Sequence, residues 1–361
     1  MPENIGMSMR GMDKFDIAHL DRLKRVRALM EAKPPAHITL VGDVMLDRFI
    51  FGEIDTLAST APVPALRVTK RDDSPGAAAH IARSLSGFGV DSRFHSAVGD
   101  DTVGRRLIDT LRSFGIKTDN ILLSSSTTTL IKTRYFGGRS GMMDKRQMIL
   151  QADMGGKSPL DEESYTRLLD NSRNDLKGSG ILILSDYDNG VITDENAQIL
   201  LNEAKDAGIT TIMDPKLSGL GRAIGADVAI FERRGIELIQ RRQLLNDETE
   251  TIAHLFAKYE WKAMLVIGGV HGTTLHQADG TMEHHPCRVL NPKQQLGLHD
   301  AAATAMSYAL LCGTDFGDAA CLAHAACEVI LNADASREFV SKDVLTVWLD
   351  EVLWQFQISN R

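Results

Sequence analysis

A chain of 361 residues with 43% apolar and 24% charged side chains can bury a sizeable core, as one large α/β domain or two smaller ones. Its net charge of -8 gives no overall footprint for nucleic acid. No run approaches the roughly eighteen apolar residues of a membrane span, and the N-terminus lacks a basic-then-apolar signal pattern. These features predict a cytoplasmic protein that acts on a small molecule, with no nucleic-acid or membrane partner.

Residues 1–12 are polar and methionine-rich and read as a disordered leader. From Phe15 the apolar positions Ile17, Leu20, Leu23, Val26, Leu29 and Met30 recur at helical spacing, so an amphipathic helix is expected up to Pro34-Pro35. Leader and helix together occupy residues 1–36, ahead of a domain over 37–361. The helix is expected to pack on that body or on a partner subunit.

Beyond the prolines the pattern changes to strands alternating with helices. His37 to Asp43, Gly180 to Asp186, Thr210 to Pro215 and Ala263 to Gly269 are continuous apolar runs that end in polar residues, as in a parallel sheet covered on both faces. Ligands of such sheets bind at the carboxyl ends of the strands, so Asp43, Asp186, Asp214 and Gly268-Gly269 are expected to converge on one crevice. Two stretches break the alternation: Arg48–Glu53 with Val63–Val68, and Thr127–Phe136 with Gln147–Asp153. Their polar-apolar alternation predicts a small antiparallel sheet, about 48–70 and 127–153, acting as a lid or a dimer surface.

Cys287, Cys312, Cys321 and Cys327 form no C-x-x-C pair and read as reduced core residues. His284 and His285, adjacent in a strand, point to opposite faces, so with Cys287 they read as structural and no metal site is expected. Gly297-Leu298-His299-Asp300 then opens a run of small and apolar residues at helical spacing. Asp300 either caps that helix or acts as a general base beside an N-terminus that attracts anions. A buried helix from Asp318 to Leu331 and an amphipathic one from Val344 to Phe356, with Trp348 and Trp354 packing, complete the chain.

Gly42-Asp43-Val44-Met45-Leu46-Asp47-Arg48, Ala61-Pro62-Val63-Pro64, Pro75-Gly76-Ala77-Ala78-Ala79, Val98-Gly99-Asp100-Asp101 with Gly104, Leu184-Ser185-Asp186-Tyr187 and Asp214-Pro215-Lys216 occur in the order found in ribokinase-like (PfkB) sugar kinases. The sequence resembles that family, and within it the heptose 7-phosphate kinases of ADP-heptose synthase, from about Ile38 to the C-terminal region. The resemblance implies a three-layer α/β/α fold with a β lid that often makes a homodimer, and transfer of the γ-phosphate of ATP, with Mg2+, to a sugar or sugar-phosphate hydroxyl. It further implies Asp300 as base, Gly297 and the following helix start (His299) as remnant of an anion hole, and Asp43 and Asp47 on sugar hydroxyls. Gly76, His80 and Asp186 would border the same sugar, Lys132 and Arg134 from the lid would meet a sugar phosphate, and Lys216, Gly269, His271 and Gly272 would face the nucleotide. In the family the Asp318–Leu331 helix lies near the adenine. The chain ends soon after the Trp-bearing helix, so a kinase without the nucleotidyltransferase half of bifunctional ADP-heptose synthases is expected.

The departures from the family pattern cluster. Where the family has Gly-Ala-Gly-Asp this chain has Gly297-Leu298-His299-Asp300; the acid and Thr before it are Gln294 and Leu296. The family's Asn-x-x-Glu falls on Glu232-Arg233-Arg234-Gly235, its sugar-side Asn on His80, and the Lys after Ser-Asp-Tyr on Asn189. Three readings follow: a kinase whose site is rebuilt, with His299 and Arg233 or Arg234 restoring positive charge; a catalytically inactive kinase-fold sugar- or nucleotide-binding or regulatory protein; or a metal held by His80, His299 and Asp300.

Overall fold

The structure, a computed structural model, describes residues 14–138, 147–156, 158–334 and 339–359. The leader expected over 1–12 lies outside the described residues. In chain order the elements are α1 (Lys14–Ala28), β1 (His37–Gly42), β2 (Val44–Leu57), β3 (Pro64–Ala77), α2 (Ala78–Gly87), β4 (Ser92–Gly99), α3 (Thr102–Ser113), β5 (Ile121–Ser124), β6 (Ile131–Gly138) and β7 (Gln147–Met154). They continue with α4 (Glu162–Leu176), β8 (Ser179–Ser185), α5 (Asp194–Asp206), β9 (Thr210–Asp214), β10 (Val228–Glu232), α6 (Arg233–Gln243), α7 (Glu248–Tyr259), β11 (Ala263–Ile267), β12 (Thr273–Gln277), β13 (Met282–His285), α8 (Leu298–Leu311), α9 (Phe316–Asn332) and α10 (Lys342–Ser359).

The main sheet has the order β13-β12-β11-β10-β9-β8-β1-β4-β5 among the described residues. From β11 through β5 it is parallel, and β12 and β13 add an antiparallel edge. Leu40, Ile183, Ile212, Ile230 and Leu265 face one core with α2, α8 and α9; Val41, Leu184, Met213, Ala229 and Met264 face the other with α5, α6 and α7. Alternate residues of each apolar strand thus serve opposite cores, which is why these strands carry no polar face. The result is the three-layer α/β/α arrangement expected. Strand order reverses about β1, and the register pairs Gly42 with Ser185 and Ser185 with Asp214, so the polar strand ends stand in a row.

The lid is a separate sheet of order β3-β2-β6-β7. Its two outer pairs are antiparallel as expected, but β2 and β6 run parallel. Between β3 and β6 the chain passes through α2, β4, α3 and β5 and re-enters the lid from the end at which β2 began, the kind of long crossover a parallel pair needs. Alternation along a strand reports its faces and carries no information on its neighbour's direction, so the sequence could not distinguish the two.

Helix α1 packs on the body: Leu20, Leu23 and Val26 are buried, Arg22 and Arg25 both pair with Asp318 at the start of α9, and Arg27 pairs with Asp350 of α10. Trp348 is tied by its indole N–H to Glu328 at 3.0 Å, whereas Trp354, expected to pack, is exposed. Cys321 and Cys327 are buried and all four cysteines are free. Among the described residues no helix is long and apolar enough to cross a membrane.

Candidate active site

The strand ends and the start of α8 enclose a cavity of about 590 Å³, within the usual range for small-molecule sites. Asp214 ends β9 and Glu232 ends β10; Gly268, Gly269 and His271 come from the turn after β11; Gly297, His299 and Asp300 come from the first turn of α8. Lys216, Arg233 and Arg234 supply positive charge along its wall. Gly272, expected to face a nucleotide, does not line this cavity; a Cβ there would lie 2.0 Å from the His285 carbonyl oxygen, so it packs against the β13 backbone.

Gly297 holds the N-cap of α8 in the left-handed region, φ 83°, which turns the chain sharply into the helix and favours glycine. Asp300 does not cap: no side chain caps α8, and the Asp300 carboxylate instead accepts the Tyr187 hydroxyl at 3.0 and 3.2 Å. It is 3% exposed, and burial pushes its pKa above the usual carboxylate range against the opposing influence of His80 and the Tyr187 hydroxyl. Lys216 stands with its ammonium 4.2 Å from the Tyr187 ring centre.

His299 bonds Asp214, Nδ1 to Oδ1 3.0 Å. Burial alone would lower the imidazole pKa, but Asp214 outweighs it and holds the group above its ordinary value. Burial likewise works against Asp214, yet His299 and Lys216 bring its pKa below the usual range.

A smaller cavity, about 80 Å³, adjoins the first and shares Tyr187, Leu296, Gly297 and Asp300 with it. Asp47, His80, Lys132 and Arg134 line it. Asp47 bonds Arg134 at 2.5 Å and His80 at 3.2 Å, and these two partners overcome burial to keep its pKa low. Gly76 makes this possible, since a Cβ at that position would lie 1.9 Å from Asp47 Oδ2. Asp300 is therefore reached from both sides, from the larger cavity and from the smaller one. A third cavity, about 770 Å³, opens beside them, with Lys132 and Asp153 of the lid facing Lys216, Arg234 and Arg242.

Asp43 and Asp186 are fully buried and stand outside these cavities. The Asp43 carboxylate accepts the backbone N–H groups of Tyr187, Asn189 and Val191 at 2.8, 3.2 and 3.0 Å, which fixes the loop carrying Tyr187. Burial outweighs those bonds and raises its pKa to about 6. Asp186 accepts both a backbone N–H from Asp188 and the Arg222 guanidinium, at 3.0 and 3.1 Å. His80 and His299 pair with different carboxylates, so the geometry does not gather them with Asp300 about one point. Among the described residues no group of three or more His, Cys, Asp or Glu side chains is placed to hold a metal ion.

The sequence matches the pfkB family carbohydrate kinase profile over residues 36–341, most of the chain. The chain belongs to the pfkB family of carbohydrate kinases. Among curated relatives, this pfkB-family chain is 30% identical over 316 residues to the bifunctional protein HldE of Paramagnetospirillum magneticum, covering 87% of this chain and 62% of that one. It is 27% identical to the HldE of Hyphomonas neptunium, covering 84% and 61%. The chain thus spans less than two thirds of the length of these relatives. In fold it is similar to Arabidopsis thaliana ribokinase, solved with ribose and ATP, at TM-score 0.66 and 13% identity over 87% of this chain and 98% of that one. The Escherichia coli phosphofructokinase-2 solved with potassium gives TM-score 0.69 and 16% identity over 89% and 99%.

Reading the pfkB-family sequence for motifs identified the strand ends but assigned no task to Tyr187 or Asp214. Both stood in quoted motifs, Ser-Asp-Tyr and Asp-Pro-Lys. Their signal was position: an Asp that ends a buried strand and a Tyr two residues past the end of another both point at the crevice. Arg222, the partner of Asp186, gave no signal, because it lies in a short 3-10 segment, Leu217–Ala223, kinked at Gly219, that no periodicity marks.

Proposed function

We propose that this protein is an ATP-dependent sugar or sugar-phosphate kinase of the heptose 7-phosphate kinase type, with Asp300 as its general base. The observation that carries the reading is the place of Asp300: buried, fixed by Tyr187, and on the shared wall of the two cavities. The acceptor occupies the smaller side, its hydroxyl toward Asp300, and ATP the larger side. Asp300 takes the hydroxyl proton as the oxygen bonds to the γ-phosphorus, and the bond to the ADP oxygen breaks.

The residues fit anionic substrates. Lys216, Arg233 and Arg234 line the ATP side, with Gly269 and His271 where the chain passes close. Mg2+ would arrive with ATP and draw charge from the phosphates; Glu232 and Glu237 are carboxylates on the cavity wall suited to it. Lys132 and Arg134 place positive charge at the acceptor, which suits a sugar phosphate, while Asp47 and His80 offer hydrogen bonds to its hydroxyls. The likeness to HldE proteins supports a heptose phosphate acceptor. Asp43 and Asp186 hold the loops around the site.

Exposed Met148, Ile149, Leu150 and Met154 on edge strand β7, with Leu57, Val63 and Val68 on the hairpin, support a homodimer through the lid. A kinase-fold protein that binds sugar or nucleotide without transfer is the second reading; what favours it is the bulky His299 at the helix start, where the family has glycine. The deciding experiment is ADP release from Mg-ATP with heptose 7-phosphate and a panel of sugars and sugar phosphates, beside Asp300→Asn. Turnover that the variant loses by about 10³-fold or more establishes the kinase. Nucleotide or sugar binding with no turnover selects the second reading.

A further inference from the structure

We infer that Asp214 and His299 work as a dyad in which His299 donates from Nε2 to the transferred phosphoryl group and Asp214 is the positioning residue that fixes its tautomer and direction. The inference rests on the kinase reading and adds to it the group that stabilises the phosphoryl charge.

Three observations carry it. The Nδ1 contact to Asp214, 3.0 Å, makes Nδ1 a donor to a carboxylate and leaves Nε2 as the atom available to a ligand. Among the described residues Nε2 has no hydrogen-bond partner, and the side chain, 25% exposed, lines both the 590 Å³ and the 770 Å³ cavities. A histidine that served packing alone would be enclosed, with both nitrogens satisfied or the ring apolar-lined. Finally, His299 precedes Asp300 in the first turn of α8, so a group held in reach of Asp300 is in reach of the same turn.

The surroundings decide whether the ring is a cation. A helix N-terminus disfavours positive charge, and Lys216 on the loop after β9 disfavours it too. Asp214 on β9 and Asp300 on α8 favour it, and the balance lies with the carboxylates. The other charged or titratable groups on the walls of these cavities are the Tyr187 phenol, Glu232 at the end of β10, Arg233, Arg234, Glu237 and Arg242 of α6, His271, Asp188 after β8, and Lys132 and Asp153 of the lid. The carboxylates thus favour the imidazolium, the form that can donate to a phosphoryl oxygen as charge builds. His299 thus adds a charged side-chain donor at the start of α8.

The test is turnover against pH for the full chain and for His299→Gln, His299→Gly, Asp214→Asn and Asp214→Glu, joined to an NMR titration of the histidine resonances. The His299 signal is identified as the one missing in His299→Gln. Loss of one such donor is expected to lower kcat by about 10²- to 10³-fold with KM little changed. The alkaline fall in wild-type activity disappears in His299→Gln, moves to lower pH in Asp214→Asn and is partly restored in Asp214→Glu. In the NMR titration the His299 signal moves to lower pH in Asp214→Asn, a change that a merely structural Asp214 would not produce. Wild-type turnover abolished by Asp300→Asn but retained or raised in His299→Gly and His299→Gln overturns the dyad and leaves the kinase intact. A His299 signal unmoved in folded Asp214→Asn also overturns it. Absence of turnover with every acceptor removes the kinase reading and the dyad with it.

Discussion

Replacing Gly76 with alanine tests the acceptor side without touching a charged group. Gly76 pairs with Met45 across the β2–β3 ladder and does not have positive φ, so alanine introduces no backbone strain. The added methyl would lie 2.7 Å from Asp47 Cγ and 1.9 Å from its Oδ2, the latter over 1 Å inside ordinary contact at about 3.5 Å. The Asp47 carboxylate must move, and it cannot do so and keep both Arg134 at 2.5 Å and His80 at 3.2 Å. Arg134 is 8% exposed, and a buried charge stripped of its partner costs about 3–5 kcal/mol. Urea unfolding followed by circular dichroism and fluorescence should show a loss of that size. In an Asp47→Ala background there is no oxygen to strike, so the same Gly76→Ala step should cost less than about 1 kcal/mol. An equal cost in both backgrounds would refute the reasoning, as would a loss below about 1 kcal/mol in the wild-type background.

Tyr187→Phe removes the donor that lowers the Asp300 pKa, so the acid limb of kcat/KM, where Asp300 must lose its proton, should move to higher pH and the plateau fall by about 10- to 100-fold, the worth of one hydrogen bond to a charged group; an unshifted limb contradicts the role given to the phenol. Arg222→Ala leaves the fully buried Asp186 without its guanidinium and should destabilise the fold by about 3–5 kcal/mol in urea unfolding, with Arg222→Lys recovering only part because lysine cannot make the forked contacts to Asp186, Asp188 and Asp194. Full recovery by lysine counts against that account. Met148→Lys with Leu150→Lys should halve the mass seen by sedimentation without lowering the urea midpoint; an unchanged mass places any dimer contact elsewhere.

What could be read from the sequence was what period and termination encode. Apolar strands ending in Asp43, Asp186 and Asp214 gave the parallel sheet and its carboxyl edge, and Gly297 before an alanine-rich run gave the helix that presents Asp300. Partnerships were hidden, because a side chain's hydrogen-bond partner depends on which strand stands next to it. Asp43 and Asp47 are four residues apart and the resemblance implied sugar hydroxyls for both, yet Asp43 accepts the amides of the loop after β8 whereas Asp47 lines the smaller cavity beside Arg134. His299 could be read from the sequence either as a donor restoring positive charge or as a bulky residue in the anion hole; its partner Asp214, at the end of β9, was hidden. The parallel β2–β6 pair was hidden for the same reason.

The departures from the family pattern also bear on whether Asp300 is kept for catalysis or for structure, and stability separates the two. Its folded pKa lies above the unfolded value near 4, chiefly because it is buried. A raised carboxylate pKa contributes stability that is fully present below the unfolded pKa and lost as pH rises through the folded one, so above the unfolded value the buried Asp300 carboxyl costs the fold stability. Asparagine has the same shape, keeps an oxygen for the Tyr187 hydroxyl and carries no charge. Asp300→Asn should therefore be more stable than wild type at neutral pH, by about 1 kcal/mol in urea unfolding, and the gain should vanish at a pH below the unfolded carboxylate value. A site retained only to hold the fold would not keep the less stable side chain. If Asp300→Asn is instead the less stable protein at neutral pH, Asp300 supports the structure, and its presence no longer argues for a working base.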